Sequence, residues 1–325
     1  MKRRRFADTT VSEVGLGCWQ LGGDWGKVSD EEATEILRAA FEAGVRFFDT
    51  ADVYGAGRSE TALGRFLTDC PERVFVATKL GRFSPPGWPD NFTWEAMRTH
   101  TEASLKRLGV EALDLTQLHC IPIERLREGK VFDRLRRLRA EGKIRRFGAS
   151  VESMEEAIIC LSQEGLASLQ IIFNLFRQKP ADALFRQAAA RGVALIVRLP
   201  LASGLLAGKF TTQTAFDPAD HRNYNRDGQR FNVGETFAGL PFDKGVALTD
   251  ALRPLVPPGM TMAQMALRWV LDHDAVSVVI PGATRPAQAR SNAAASDLPP
   301  LGAPLHARLR TFYESEVAGS IRGPY

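Results

Sequence analysis

Asp49, Tyr54, Lys79 and His119 are the residues through which this chain could do acid–base chemistry. The run Phe47-Phe48-Asp49-Thr50-Ala51-Asp52-Val53-Tyr54-Gly55 drives an apolar strand straight into a carboxylate and sets a tyrosine in the glycine-punctuated loop that follows. A phenol is a poor acid at neutral pH unless something lowers its pKa. Lys79 carries a charge able to do that, and Asp49 can pair with Lys79 and hold its ammonium in place. His119 can hydrogen-bond a substrate oxygen or relay a proton. Tyr54 then reads as the general acid toward a carbonyl oxygen, a role worth on the order of 10²–10⁴ in rate. Such a site needs a hydride donor, because no nucleophilic serine or cysteine sits beside a base. Each residue alone also has a plainer reading. Asp49 could cap a turn, Lys79 could be a solvated strand end, His119 a structural histidine and Tyr54 a half-buried aromatic. It is their joint placement that favours chemistry.

That placement depends on the elements that carry them. Short apolar or β-branched runs predict strands at Val14–Gly17, Arg46–Asp49, Val74–Thr78, Leu113–Leu118, Arg145–Ala149, Leu169–Phe173, Ala194–Val197 and Val276–Ile280. Stretches of helical periodicity lie between them, among them Asp30–Ala43, Thr93–Leu108, Val131–Glu141, Met154–Leu161, Ala181–Arg191 and Met262–Asp272. Ser29 and the acids after it open the first helix, and Gly44 closes it. Eight strands alternating with helices predict an α/β fold, a (β/α)8 TIM barrel forming a single domain over residues 1–325. A long loop after the seventh strand, Pro200 to Gly245, reads as a lid or binding loop, and the tail from Pro299 holds a helix. No GxGxxG turn supports a doubly wound sheet. In a barrel the active site forms at the C-terminal strand ends. Those ends carry Asp49, Lys79, His119, Ser150, Gln170, Arg198 and Pro281-Gly282 in turn.

Composition narrows the class. The chain has 325 residues, 44% hydrophobic and 25% charged, with a formal net charge of +4, the profile of an ordinary globular protein. No apolar run approaches a membrane span. The basic start Met1-Lys2-Arg3-Arg4-Arg5-Phe6 lacks the apolar core of a signal peptide, so a cytoplasmic location and a solvated first strand are expected. The charge balance gives nucleic-acid binding little support. Cys18, Cys70, Cys120 and Cys160 form no CxxC pair, and the five histidines show no ligand spacing, so no metal is expected. The expected partner is a small carbonyl or alcohol substrate, with a monomer or small homo-oligomer and no membrane association.

Several motifs, taken together and in order, resemble the aldo-keto reductase superfamily, with a bacterial-type pattern. They are Gly44-Val45-Arg46-Phe47-Phe48-Asp49-Thr50-Ala51-Asp52-Val53-Tyr54-Gly55 with Arg58-Ser59-Glu60, Ala77-Thr78-Lys79, and Asp114-Leu115-Thr116-Gln117-Leu118-His119. Further along come Gly142–Ser150, Pro200–Lys209 and Ile280-Pro281-Gly282-Ala283. The resemblance covers about Val14 to Asn292. It implies a barrel that binds a nicotinamide cofactor without a Rossmann domain and a catalytic tetrad of Asp49, Tyr54, Lys79 and His119. It implies that Ser150 and Gln170 meet the nicotinamide carboxamide, with Arg198 beneath the ring. It also implies that the 201–209 stretch, including Leu201, Ser203, Gly204, Leu206 and Lys209, crosses the pyrophosphate. Gly282, Thr284, Arg285, Gln288 and Asn292 match the adenosine end. Trp19 matches a pocket aromatic, or else plugs the core. Trp88, in the aromatic loop Gly81–Trp94, and Cys120, beside His119, are further pocket candidates, although the loop's aromatics could simply pack on the barrel. The segment His221–Arg226 either closes over the pocket or is a solvated basic loop.

The departures from the family pattern matter as well. Ser150-Val151 stands where many members have Ser-Asn. Arg198 stands where many have a stacking tyrosine and is expected to favour the reduced, neutral nicotinamide over the oxidised cation. Gly282 and Gln288 stand where some relatives contact a 2′-phosphate through Lys or Arg; Arg285, Thr284 and the following helix start could still bind one. NADPH is therefore the expected cofactor, with NADH possible. The expected reaction is NAD(P)H-dependent reduction of an aldehyde or ketone, with the proton from Tyr54. The alternatives are NAD(P)+-dependent oxidation of a sugar or secondary alcohol, or a redox-sensing regulatory subunit with residual reductase activity.

Overall fold

Runs such as Leu166–Ile172, in which every residue is buried, form parallel strands because helices cover one face and a barrel core fills the other. The computed structural model describes every residue except Asp24 and Lys27. The strands are β1 (Arg3–Phe6), β2 (Thr9–Ser12), β3 (Leu16–Gly17), β4 (Phe47–Asp49), β5 (Phe75–Leu80), β6 (Leu115–His119), β7 (Phe147–Ser150), β8 (Leu166–Ile172), β9 (Ala194–Arg198) and β10 (Val276–Val279). From β3 to β10 they pair in chain order, and parallel bridges from Val14 to Val279 and from Gly17 to Gly282 close the ring. The result is the expected eight-stranded barrel, with strand boundaries within a few residues of those read from sequence.

The barrel has two distinct ends, and strand alternation explains both. Residues two apart share a face. Phe47, Ala77, Leu115, Ala194 and Val278 point inward with Phe6 and Val11 and form an apolar plug at the N-terminal end. Phe6 lies 5.5 Å from Phe47 and 5.0 Å from Phe75, ring to ring. Two residues further along these strands the same inward face reaches Asp49, Lys79 and Gln117, and one more step reaches His119. A phase that buries the plug therefore delivers polar groups to the C-terminal rim.

The basic start forms β1 of an antiparallel hairpin with β2, which closes the N-terminal end of the barrel. Arg3 and Arg5 are exposed while Phe6 is buried. Capping boxes at Ser29, Ser153 and Thr261 fix three helix starts. The long segment after β9 is not a plain loop. It carries a 3-10 turn at Ala202–Ala207, a helix turn at His221–Tyr224 and further 3-10 turns at Val233–Glu235 and Phe237–Gly239, then enters the helix Phe242–Leu252. The tail ties this lid down. Arg322 donates to the carbonyls of Gly239 and Leu240, and Arg177 donates to that of Pro324. Among the described residues no helix is long and apolar enough to cross a membrane.

Candidate active site

Lys79 is 1% exposed, and its ammonium meets three acceptors. Nζ donates to Asp49 Oδ1 at 2.5 Å, to the Thr50 carbonyl at 2.8 Å and to the Tyr54 hydroxyl at 3.2 Å. Burial works against that charge, but Asp49 and the phenol outweigh it and hold the lysine above its ordinary pKa. Asp49 is oriented in turn from the barrel interior, its Oδ2 accepting from Gln170 Nε2 at 2.7 Å and Gln117 Nε2 at 3.3 Å. Gln117 was not singled out from sequence, although it sits level with Lys79 in the β5–β6 register.

Tyr54 is held by its loop. Gly55 takes a left-handed φ of 57°, and a Cβ there would come within 2.3 Å of the Gly22 carbonyl oxygen. A side chain at that point would push the phenol off Lys79. The sequence reading that Lys79 lowers the tyrosine pKa needs correction in its net sign. Burial dominates and lifts the phenol to about 12, with Lys79 pulling the other way. Tyr54 is therefore a firmly protonated donor whose oxygen already accepts a hydrogen bond from a cation. His119 lies edge-on to it, ring centroids 5.6 Å apart. Burial, then Arg82, Lys79 and Arg198, push the imidazole well below its usual range, so it is neutral. Its Nδ1 is enclosed without a partner. A buried acceptor left unpaired costs less than an unpaired N–H, which places the proton on Nε2.

These groups face a cavity of about 430 Å³ that Tyr54 and His119 share with Ser150, Gln170, Arg198, Leu201, Ser203, Gly204, Gly282, Thr284 and Gln288. Ser150 and Gln170 join each other through a long 3.4 Å contact. The chain runs left-handed through Ala202, Ser203 and Gly204, while the Ser203 hydroxyl is spent on the lid, donating to the Glu235 carbonyl and accepting from Phe237 N. Gln288 Oε1 accepts from the backbone N–H groups of Thr284 and Arg285, shaping the start of the helix Pro286–Ala293.

Other expected residues fall elsewhere. Leu206 is buried in the core, Lys209 and Arg285 are exposed off the cavity, and Asn292 supports the Gly282 carbonyl from behind. Trp19 lines the cavity and stacks at 5.8 Å on Tyr54. Trp88 does not; it is 51% exposed and leans on Phe92 of the same loop. Cys120 sits behind the wall, its thiol pushed up to about 12 by burial. The solvated reading of His221–Arg226 fails for much of the segment, with Asn225 fully buried and Tyr224 lining the cavity. His221 is fully buried 4.7 Å from Trp19, and Arg222 pairs with Asp220 and rests on Trp25 and Phe216. Sequence reading also passed over Gln20, Trp25, Arg82, Phe231 and Glu235, all of which line the cavity.

A buried acid with a cationic partner, a neutral imidazole and an elongated cleft on a barrel rim describe a proton donor beside a cofactor-sized groove. Comparison with known proteins decides the family. The sequence pattern of the "Aldo/keto reductase family" matches residues 13–314. The chain belongs to the aldo/keto reductase family. It is accordingly an NAD(P)H-dependent oxidoreductase acting on carbonyl and alcohol groups. It is 30% identical to the aldo-keto reductase YhdN of Bacillus subtilis over 89% of this chain and 86% of that one. Among solved structures it resembles a glycerol dehydrogenase from Gluconobacter oxydans, with TM-score 0.81, 28% identity and 99% and 98% of the two chains covered. It also resembles an aldo-keto reductase from Klebsiella pneumoniae in complex with NADPH, with TM-score 0.71, 25% identity and 96% and 95% covered.

The residues present fit a nicotinamide dinucleotide. The cavity is continuous from the Tyr54–His119 end to the start of the helix Pro286–Ala293, and the buried Gln20 Oε1 beside Gly282 has no partner among the described residues. Ser150 and Gln170 offer an amide-sized pair of polar groups between those ends.

Proposed function

We propose that this aldo/keto reductase reduces an aldehyde or ketone with Tyr54 as proton donor, Lys79 and Asp49 setting its acidity and His119 orienting the carbonyl. The observation that carries the reading is the single Lys79 ammonium shared by Asp49, the Thr50 carbonyl and the Tyr54 hydroxyl. When bound, the nicotinamide supplies a hydride to the carbonyl carbon. His119 Nε2–H donates to the carbonyl oxygen and fixes its direction. Tyr54 keeps its proton until negative charge grows on that oxygen, then releases it. Lys79 stabilises the phenolate left behind, and burial strengthens that interaction because little water competes. Asp49 keeps the ammonium aimed at the phenol.

Ser150 and Gln170 are the groups we assign to the carboxamide, and the left-handed Ala202–Gly204 turn with Leu201 to the pyrophosphate. Thr284 and the start of the helix Pro286–Ala293, with the exposed Arg285 beside the cavity's end, would take a 2′-phosphate, so NADPH is the favoured cofactor. The Klebsiella relative in complex with NADPH supports that choice. Arg198 is tethered 3.5 Å from Glu235, so its effect on the nicotinamide charge is softened by that carboxylate. Alcohol oxidation is the second reading, favoured by the relative described as a glycerol dehydrogenase; the same groups serve it with acid and base roles exchanged. A panel of aldehydes, ketones, sugars and secondary alcohols, followed at the nicotinamide absorbance band with both cofactors, tests this. Carbonyl reduction with higher kcat/KM for NADPH is expected, and a higher value with NADH would refute the cofactor preference.

A further inference from the structure

A second charged group borders the same cavity, on the side away from Asp49. Arg82 follows β5, Arg198 ends β9, Glu152 follows β7 and Glu235 comes from the lid. Arg82 and Arg198 lack the short carboxylate contact that other buried arginines make, although Arg268 also reaches a second carboxylate, Glu13, only at 3.9 Å. Arg82 Nη2 lies 3.5 Å from Glu152 and 3.9 Å from Glu235, and Arg198 Nη2 lies 3.5 Å from Glu235. Elsewhere Arg107 meets Glu60 at 2.6 Å, Arg4 meets Glu13 at 2.7 Å and Arg268 meets Asp272 at 2.9 Å. The two guanidiniums on the cavity are thus held loosely, and their donors are mostly unspent. Arg82 makes one long hydrogen bond, 3.5 Å to the Cys120 carbonyl. Arg198 donates at 3.3 Å to the Val151 carbonyl and at 3.5 Å to Cys120 Sγ, both through Nη2. Among the described residues Nη1 of each has no hydrogen-bond partner, and Arg198 Nε is enclosed and unpaired.

The charges here do not cancel. Carboxylate oxygens of Glu152 and Glu235 and the Cys120 sulfur all lie within 4.8 Å of one another. Two carboxyl groups that close do not both ionise cheaply. Burial and the neighbouring Glu235 push Glu152 up to about 8, while Arg198 and Arg82 overcome the burial of Glu235 and hold it low. Two cations therefore face one anion at neutral pH. Cys120 and His119 beside them are both neutral, and Arg177 adds a further cation near Arg198 and Glu152. The surplus positive charge makes the group a poor cation site despite its carboxylates and thiol.

We propose that Arg82 forms an anion seat beside Tyr54 and His119, with the charge of Arg198 supporting it from the nicotinamide side, and that the preferred substrates are carbonyl compounds bearing a carboxylate a few bonds from the carbonyl. This rests on the carbonyl-reductase reading above and names its substrate class. The planar fork of the Arg82 guanidinium matches a carboxylate. In the reaction the carbonyl carbon gains the hydride and its oxygen gains the Tyr54 proton. NAD(P)H becomes NAD(P)+, and the carboxylate leaves with its charge unchanged as part of a hydroxy acid.

The test compares short oxo acids with their amides and with phosphorylated aldehydes, in wild type, Arg82→Ala and Arg82→Lys, all screened for native thermal unfolding. A charged hydrogen bond corresponds to roughly 10- to 100-fold, so wild type should prefer acid over amide by about that factor in kcat/KM. Arg82→Ala should bring the ratio near one, chiefly through KM for the acid, and Arg82→Lys should retain part of it. Should Arg82→Ala not fold, the wild-type and Arg82→Lys ratios decide. Quenching of tryptophan fluorescence by succinate against succinamide reads the seat without turnover, since Trp19 and Trp25 line the cavity. Carbonyl reduction with no acid preference overturns the seat and leaves the reductase reading standing. Selective carboxylate binding without turnover of any carbonyl compound does the reverse. A preference for the phosphorylated aldehyde overturns the carboxylate assignment.

Discussion

The two charged walls of the cavity are built on opposite principles. On one side Asp49 and Lys79 come from adjacent short strands, and Gln117 and Gln170 reach Asp49 from two more. Asp49 takes bonds of 2.5 Å from Lys79 and 2.7 Å from Gln170, with Gln117 at 3.3 Å, and the strand register dictates where each one stands. On the other side Arg82, Glu152 and Glu235 come from segments beyond the strand ends, only Arg198 closes a strand, and no ion-pair contact is shorter than 3.5 Å. The tight wall is pre-organised for one reaction, whereas the loose wall leaves donors over for a ligand. Chemistry is assigned to the first and selection to the second.

The largest effect should come from breaking the tight wall. Asp49→Asn leaves the Lys79 ammonium buried without a counter-charge, and unfolding by urea should show a loss of about 3–5 kcal/mol. Lys79→Met removes the cation from the Tyr54 oxygen. Saturated kcat should fall on the order of 10²-fold or more, and cofactor affinity measured by fluorescence separates this from a binding defect.

Why the first wall was legible in the sequence and the second was not follows from the same contrast. Apolar alternation fixes both the plug and the rim, so Phe47 and Phe48 running into Asp49 gives the position of the carboxylate almost directly. Glu235 reaches Arg198 only because the lid folds back through a series of short 3-10 turns, and such turns have no periodicity to read. The hairpin at the barrel floor was legible only in part, since the arginines around Phe6 mask its alternation. Trp88 misled for another reason. An aromatic in a loop near the rim says nothing about which way the loop turns, and here Trp88 Nε1 donates to the Gly81 carbonyl with its face in solvent. The net acidity of Tyr54 was misjudged because burial is invisible in sequence, and it outweighs the lysine.

A smaller effect separates the walls by pH. Glu152 is protonated below about 8. As pH rises through that value it ionises, and the group of Arg82, Arg198, Glu152 and Glu235 loses its surplus positive charge. The acid-to-amide ratio in kcat/KM should hold its plateau at neutral pH and fall roughly threefold to tenfold by pH 9. Turnover of a neutral aldehyde should not fall in that window on account of Tyr54, which stays protonated up to about 12. The smallest effect should come from Trp88→Ala. With its side chain outside the cavity, kcat/KM for any substrate should stay within about twofold, and stability within about 1 kcal/mol.

The most direct test of the division of labour is the single-turnover rate of nicotinamide oxidation in Tyr54→Phe, with cofactor pre-bound and carbonyl substrate saturating. The ring and its stacking on Trp19 survive this change; only the hydroxyl, with its proton and its hydrogen bond from Lys79, is removed. A rate lower by on the order of 10²–10⁴ with unchanged cofactor affinity is the expected result. A rate equal to wild type would contradict the assignment of Tyr54 as the proton donor.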